Sequence, residues 1–137
     1  MCIIVNCGKN KRPSKDTLET CWIMNSDGAG IMYNTGSNIV IQKGFMDFDT
    51  FYKAFRKVPK QAELVAHFRI GTSGKVSESC CHPFPMTNDY KKLGRKKIVT
   101  DIGVAHNGIV SWCTPKDRMK SNVSDTMVYI AEVMSYI

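Results

Sequence analysis

The chain has 137 residues and a net charge of +7, from 19 Lys and Arg against 12 Asp and Glu. This length is enough for one domain, residues 1–137, with a real hydrophobic core. No apolar run approaches the ~18 residues of a membrane span, so a soluble protein is expected. Much of the positive charge lies in residues 9–15 and 91–97. Short basic runs of this kind are typical of solvated loops, so nucleic acid is not the expected partner.

The cysteine pattern bears on the redox compartment. No secretory signal is recognisable, because Lys9, Lys11 and Arg12 follow the first apolar residues closely. Reduced thiols in the cytoplasm are therefore expected. Neither Cys-x-x-Cys nor His-x3-His spacing occurs, so no metal site is expected, and no cofactor. The six cysteines are Cys2, Cys7, Cys21, Cys80, Cys81 and Cys113.

The chain opens with an apolar run at residues 1–6 that predicts a buried strand. Cys2 directly follows the initiator Met1, which is expected to be trimmed because the next residue is small. Trimming would give Cys2 a free α-amine, whose reference pKa of ~7.7 to 8.0 allows it to act as a base near neutral pH. One residue would then supply nucleophile and base. A buried, inert cysteine is the alternative.

The next segments predict a helix followed by paired strands. Asp16, with a glutamate three residues later, is a capping pattern that predicts a helix over residues 16–24. Residues 25–30 form a turn that leads into strands at 31–33 and 38–41. The glycines of this turn could also cradle an anion, but they lack the spacing of a phosphate-binding motif.

A second helix is predicted over residues 47–58, with Asp47 or Asp49 as its cap and Pro59 as its stop. Its apolar side chains recur at helical spacing and are expected to form core. An exposed stacking platform for nucleic acid is the alternative, but burial requires the same face. The recurring residues are Phe48, Phe51, Tyr52 and Phe55.

The central motif follows an apolar run at residues 62–66, in which residues 64–66 predict the interior of a strand. Arg69 stands at the end of this strand, and residues 71–74 provide the small residues of a turn. The planar fork of an arginine can hold a carboxylate bidentately, which points to a substrate carboxylate. An ion pair between Arg69 and an internal Asp or Glu is the alternative.

A strand over residues 98–105 is predicted to run into a hairpin at Asn107–Gly108. The same pair can act as an oxyanion device, because the Asn107 amide and the Gly108 N–H can converge on one point. An ordinary turn is the alternative.

The last predicted helix covers residues 124–137 with Ser124 as its cap. Asp125 lies in its first turn, where its charge suits the helix dipole.

In their order along the chain, these motifs resemble the glutaminase domain of class II glutamine amidotransferases, which are N-terminal nucleophile hydrolases. The resemblance rests on Cys2 and on residues 67–74 (HFRIGTSG), 81–84 (CHPF), 106–109 (HNGI) and 124–126 (SDT). It implies an α+β fold, specifically an αββα four-layer sandwich of two antiparallel sheets covered by helices. It also implies hydrolysis of the glutamine side-chain amide to glutamate and ammonia.

The resemblance further implies roles for individual residues. Cys2 would attack the amide carbon and form a thioester, while Asn107 and Gly108 would hold the oxyanion. Ammonia would pass to a synthase domain or subunit, which this chain does not contain. Family domains are usually longer, so the chain is expected to be a minimal version or a fragment truncated at its C-terminus.

Substrate recognition is implied in the same way. Arg69, helped by Thr72, would bind the α-carboxylate of glutamine, and Asp125 would bind its α-ammonium. His82 matches a family histidine near the substrate, although a His-Pro pair in an extended segment can also be structural.

Two other functions remain open from the sequence. An N-terminal nucleophile hydrolase acting on another amide would keep the nucleophile without needing the Arg69 and Asp125 pair. A catalytically silent binding module would use the basic surface of residues 91–97 and would not need Cys2. Salt-dependent binding of DNA or RNA would support this alternative.

Overall fold

The computed structural model describes the whole chain, residues 1–137, as an α+β fold. A five-stranded sheet and a two-stranded sheet, both antiparallel, are combined with four α-helices. The α+β prediction is therefore confirmed. None of the helices combines the length and the hydropathy that crossing a membrane would require.

The elements follow one another in a mixed order. The strands are β1 Ile3–Cys7, β2 Ala29–Asn34, β3 Ile39–Phe45, β4 Leu64–Phe68, β5 Phe84–Pro85, β6 Lys97–Thr100 and β7 Gly103–Val104. The α-helices are α1 Lys15–Met24, α2 Phe48–Lys57, α3 Tyr90–Leu93 and α4 Asp125–Glu132. The larger sheet has the order β1-β4-β2-β3-β6, and β5 pairs with β7 in the smaller sheet.

Both early helices form where the sequence predicts them. Helix α1 is capped by Ser14, whose side chain accepts a hydrogen bond from the Thr17 N–H at 3.2 Å. The prediction of Asp16 as this cap is wrong, because Asp16 already lies in the first turn, where its charge suits the helix dipole. Helix α2 begins after Asp47, which accepts from the Thr50 N–H at 2.9 Å, as predicted.

The main hydrophobic core lies between the larger sheet and helices α1 and α2. Alternate residues of β1 pack toward this core, as the two-residue period of a strand requires. The aromatic stripe of α2 supplies its centre, where the ring of Phe51 lies edge-on to Phe68 with centroids 4.9 Å apart. Both side chains are fully buried, and the burial of each stabilises the fold by about 1.5 to 3 kcal/mol. The predicted core role of the stripe is confirmed.

The opposite face of the larger sheet is covered by the chain around residues 81–82. A Cβ atom on Gly30 would collide with the carbonyl oxygen of His82, and one on Gly28 would collide with the sulfur of Cys81. These glycines therefore allow one backbone to approach another closely. No anion-binding role is needed to explain them.

The predictions for residues 98–110 are partly wrong. Instead of one strand over 98–105, the chain forms β6 in the larger sheet and then β7 in the smaller one. No hairpin forms at Asn107–Gly108, because no strand follows that pair. The N–H of Val110 donates instead to the carboxylate of Asp125 at 2.6 Å. A contact to the start of α4 thus replaces the pairing of a second hairpin strand.

A second, smaller core joins the C-terminal elements. Ser124 caps α4 as predicted, accepting from the Met127 N–H at 3.3 Å. The helix is shorter than the predicted 124–137, since it ends at Glu132 and is followed by a 3₁₀ turn over Met134–Tyr136. Helices α3 and α4 pack here with β5. The buried members are Cys80, Phe84, Leu93, Met127, Ile130 and Ala131.

Candidate active site

Cys2 lies immediately before β1, at the edge of the larger sheet. Because Ile3 packs toward the helices, strand alternation directs Cys2 to the opposite face, which Ile4 shares. The thiol is free and partly exposed, and its sulfur lies 3.6 Å from the carbonyl oxygen of Ile70. The candidate nucleophile is therefore adjacent to the residue that follows Arg69.

Arg69 is 3% exposed, and its guanidinium organises the turn that follows β4. It donates to the carbonyl oxygens of Ser73 at 2.9 Å, Gly74 at 3.0 Å and Lys75 at 3.0 Å. No carboxylate lies within ion-pair distance, so the alternative of an internal salt bridge is wrong. Two of the five N–H donors of an arginine are left for another partner.

Asp125 is joined to the same turn. Its backbone N–H donates to the hydroxyl of Ser73 at 3.1 Å, and Ser73 is also a carbonyl partner of Arg69. The Asp125 carboxylate accepts from the N–H groups of Val110 at 2.6 Å and Thr126 at 2.8 Å. Asp125 therefore has a structural role at the start of α4, and it contacts the Arg69 turn directly through Ser73.

The Asn107–Gly108 pair is exposed, but the chain on both sides of it is fixed. On one side, the His106 ring Nδ1 lies 3.1 Å from the hydroxyl of Thr126. The carbonyl oxygen of His106 accepts from the Nε2–H of His67 at 3.1 Å. On the other side, Val110 is held by Asp125 as described above. This loop is thus tied both to β4 and to the start of α4.

The two buried histidines His67 and His82 stack with their ring centroids 4.3 Å apart. The Nε2 of His67 carries the proton because it faces a carbonyl oxygen, which leaves Nδ1 as an unpaired acceptor. Burial lowers the pKa of His67 to about 4 and lowers the pKa of His82 well below its usual range. Both rings are consequently neutral near pH 7.

His82 has the environment of a packing residue. The residue is 6% exposed, and its ring lies between those of His67 and Phe84, with a centroid distance of 4.6 Å to Phe84. Neither ring nitrogen has a hydrogen-bond partner. The structural alternative for His82 fits this placement.

Thr72 is partly exposed on the Arg69 turn, where its carbonyl oxygen accepts from the Nε–H of Arg118.

The turn between α1 and β2 also contributes to the site, which the sequence did not suggest. The side-chain amide of Asn25 donates to the carbonyl oxygen of Met1 at 2.8 Å. Asp27 accepts from the Gly71 N–H at 2.9 Å, and its own N–H donates to the carbonyl oxygen of Arg69 at 3.0 Å. No local pattern predicts these contacts, since each joins residues more than 20 positions apart.

Lys43 is a second ionisable residue that sequence reasoning missed. It is 2% exposed, and its ammonium donates to the carbonyl oxygens of Leu93 at 2.6 Å and Ser79 at 3.1 Å. Its Nζ lies 3.8 Å from the centroid of the Phe84 ring. Burial lowers the pKa of Lys43 to about 7. The predicted strand ended at residue 41, so nothing in the sequence placed this lysine inside.

Other features of the surface do not converge on a second site. A cleft of about 390 Å³ lies at the end of β1 farthest from Cys2, beside Met32 and Val65, and no candidate residue lines it. No group of three or more His, Cys, Asp or Glu side chains is arranged to hold a metal ion.

Comparison with protein-family models, with curated proteins and with solved structures finds no match to this chain.

Proposed function

We propose that this protein is a glutaminase of the class II glutamine amidotransferase type. The observation that carries the proposal is a continuous set of contacts among residues far apart in sequence. Cys2 contacts the residue after Arg69, and Ser73 links Arg69 to Asp125. The carboxylate of Asp125 in turn holds the chain two residues beyond the Asn107–Gly108 pair. These contacts link the candidate nucleophile, cation, anion and oxyanion donors step by step, through Ile70, Ser73 and Val110.

The fold is assigned accordingly as an αββα sandwich. In this assignment, α1 and α2 form the first helical layer and the larger sheet forms the second. The β5–β7 pair represents the second sheet, and α3 and α4 form the last layer. The packing of α3 and α4 in one core with β5 supports this assignment.

The proposed reaction begins with Cys2 as the first residue of the chain. Its sulfur attacks the amide carbon of glutamine while the α-amine takes the thiol proton. The amide nitrogen leaves as ammonia after receiving that proton, and a thioester remains. Water then attacks the thioester, giving up one proton to the amine. Glutamate departs and the thiol is restored.

The oxyanion forms twice, once for each attack. Asn107 would donate from its side-chain amide and Gly108 from its backbone N–H. The anchoring of the loop by His67 and by Asp125 supports this role, because donors fixed in advance stabilise developing charge without further reorganisation.

Substrate binding is assigned to the charged pair. Arg69, together with Thr72, would hold the α-carboxylate, and Asp125 would hold the α-ammonium. A zwitterion needs one fixed cation and one fixed anion, and both are present here at low exposure. We also propose that the protein acts in the cytoplasm and passes ammonia to a synthase domain or subunit.

The test is ammonia release from glutamine by protein that begins at Cys2, together with labelling by the glutamine-like electrophile 6-diazo-5-oxo-norleucine. The wild type is expected to release ammonia and to gain one adduct that maps to Cys2. Cys2→Ala should abolish both, whereas Cys21→Ala, at a partly buried thiol on α1, should change neither. Wild-type turnover by Cys2→Ala, or an adduct on another cysteine, would contradict the proposal.

A further inference from the structure

Asn25 is held rigidly at the end of α1. Its backbone N–H donates to the carbonyl oxygens of Cys21 at 3.0 Å and Trp22 at 3.2 Å. The residue is 4% exposed. The backbone at Asn25 is therefore held in place, and its side chain has little contact with water.

The amide of Asn25 reaches across to the N-terminus. Nδ2 donates to the carbonyl oxygen of Met1 at 2.8 Å and to that of Phe68 at 3.4 Å, which uses both N–H groups of the amide. Phe68 is fully buried at the end of β4, and it pairs with Ile3. Asn25 thus connects the helix, the central strand and the peptide bond that precedes Cys2.

Loss of Met1 changes the surroundings of this amide. The oxygen and nitrogen of one peptide unit are only about 2.3 Å apart. The Cys2 nitrogen therefore lies within about 5 Å of Asn25 Nδ2, given the 2.8 Å hydrogen bond to the Met1 oxygen. When Met1 is removed, the bond to Phe68 remains, and the second N–H loses its acceptor beside the new α-amine.

We propose that Asn25 is the positioning residue for the α-amine of Cys2 in the Met1-free protein. This inference rests on the proposed function, in which that amine is the base. The N–H freed from Met1 donates to the lone pair of the neutral amine, directly or through one water molecule. A donor aimed at the neutral form disfavours the ammonium form, so the amine stays available as a base near neutral pH.

The experiment is a titration of the Cys2 α-amine by NMR, in Met1-free protein labelled with ¹³C at the cysteine α-carbons. In the wild type, the amine pKa should fall below the reference range of ~7.7 to 8.0. Asn25→Asp places a carboxylate beside the amine and should raise that pKa by about one unit or more, since an opposite charge within 4 to 6 Å favours the charged form. The activity profile should move to higher pH by the same amount.

Asn10→Asp is the matched control. Asn10 is exposed in a turn with φ 59°, a conformation that Asp also tolerates, so the same change of charge should leave the Cys2 amine unaffected. Asn25→Ala is the second variant; it removes the donor without adding charge and should raise the amine pKa to its reference range. Circular dichroism establishes that each variant is folded.

The outcomes separate this inference from the proposed function. An amine pKa in the reference range in the wild type, or an unchanged titration in a folded Asn25 variant, would overturn the role of Asn25 even if glutamine is hydrolysed. Shifted titration in protein without glutaminase activity would instead support the role of Asn25 and contradict the proposed function.

Discussion

Protonation of His67 should make the protein sensitive to acid in a defined pH range. His67 is fully buried, and its Nδ1 has no partner that could stabilise a second proton. Desolvation by burial lowers its pKa from the usual 6.5 to about 4, and the positive charge of Arg69 acts in the same direction. In the unfolded chain, the histidine returns to about 6.5. The unfolded state therefore binds the proton first as the pH falls.

The size of the effect follows from linkage between protonation and folding. Above about pH 6.5, His67 is neutral in both states and does not lower the free energy of unfolding. As the pH falls from 6.5 toward 4, the unfolded state takes up a proton that the folded state does not, and the free energy of unfolding decreases progressively. At pH 4.5 the free energy of unfolding should be lower by about 2.5 kcal/mol than at pH 7.5 from this residue alone. His82, whose pKa is also lowered by burial, adds to the loss.

The assay is urea unfolding followed by circular dichroism at pH 7.5 and pH 4.5. His67→Gln keeps an N–H donor for the carbonyl oxygen of His106 but cannot titrate. Between pH 7.5 and pH 4.5, the decrease in the free energy of unfolding should be smaller in this variant than in the wild type by about 2.5 kcal/mol. Phe84→Leu, which weakens packing in the same region without removing a titratable group, should keep the wild-type pH dependence. Equal pH dependence in His67→Gln and the wild type would refute the reasoning.

Three further predictions concern the site and the sheet. Arg69→Lys and Asp125→Asn should each lower kcat/KM for glutamine by about 30-fold or more, because a buried, directional charge contact is lost, and wild-type values in folded variants would contradict the substrate assignment. Asn107→Ala should lower kcat by about 10² to 10³ with a smaller change in KM, measured by steady-state ammonia release; an unchanged kcat would return the pair to an ordinary turn. Gly30→Ala should lower stability by about 1 to 3 kcal/mol in urea unfolding, whereas Gly8→Ala, with open space around it, should be nearly neutral. Equal stability of the two glycine variants would show that the close backbone approach is unimportant.

Local patterns predicted the elements that local physics controls. The aromatic stripe and the Asp47 cap defined α2 almost to the residue, because helical spacing and capping act within one or two turns. Strands β2 and β3 were predicted from apolar runs on either side of a turn, although both extend beyond the predicted limits. The motif around Arg69 was also recognisable, as a cation placed where a strand ends.

Long-range contacts decided what the sequence could not show. Asn107–Gly108 has the local chemistry of a hairpin, yet the carboxylate of Asp125 binds the following chain and no second strand forms. Ser73 looked like a turn residue, and its link between Arg69 and Asp125 exists only in three dimensions. The reach of Asn25 to the N-terminus is equally invisible, because it spans 24 positions.

The central claim is that Cys2 acts as nucleophile with its own α-amine as base. Two forms of the chain test this most directly: one with a leader that a specific protease removes directly before Cys2, and the same protein before cleavage. In the uncleaved form the Cys2 nitrogen is an amide, which cannot accept the thiol proton. We predict that both forms have the same circular dichroism spectrum, that only the cleaved form releases ammonia from glutamine, and that its activity rises through an apparent pKa below the reference α-amine value. Equal ammonia release by the two forms, checked by N-terminal sequencing, would contradict the account.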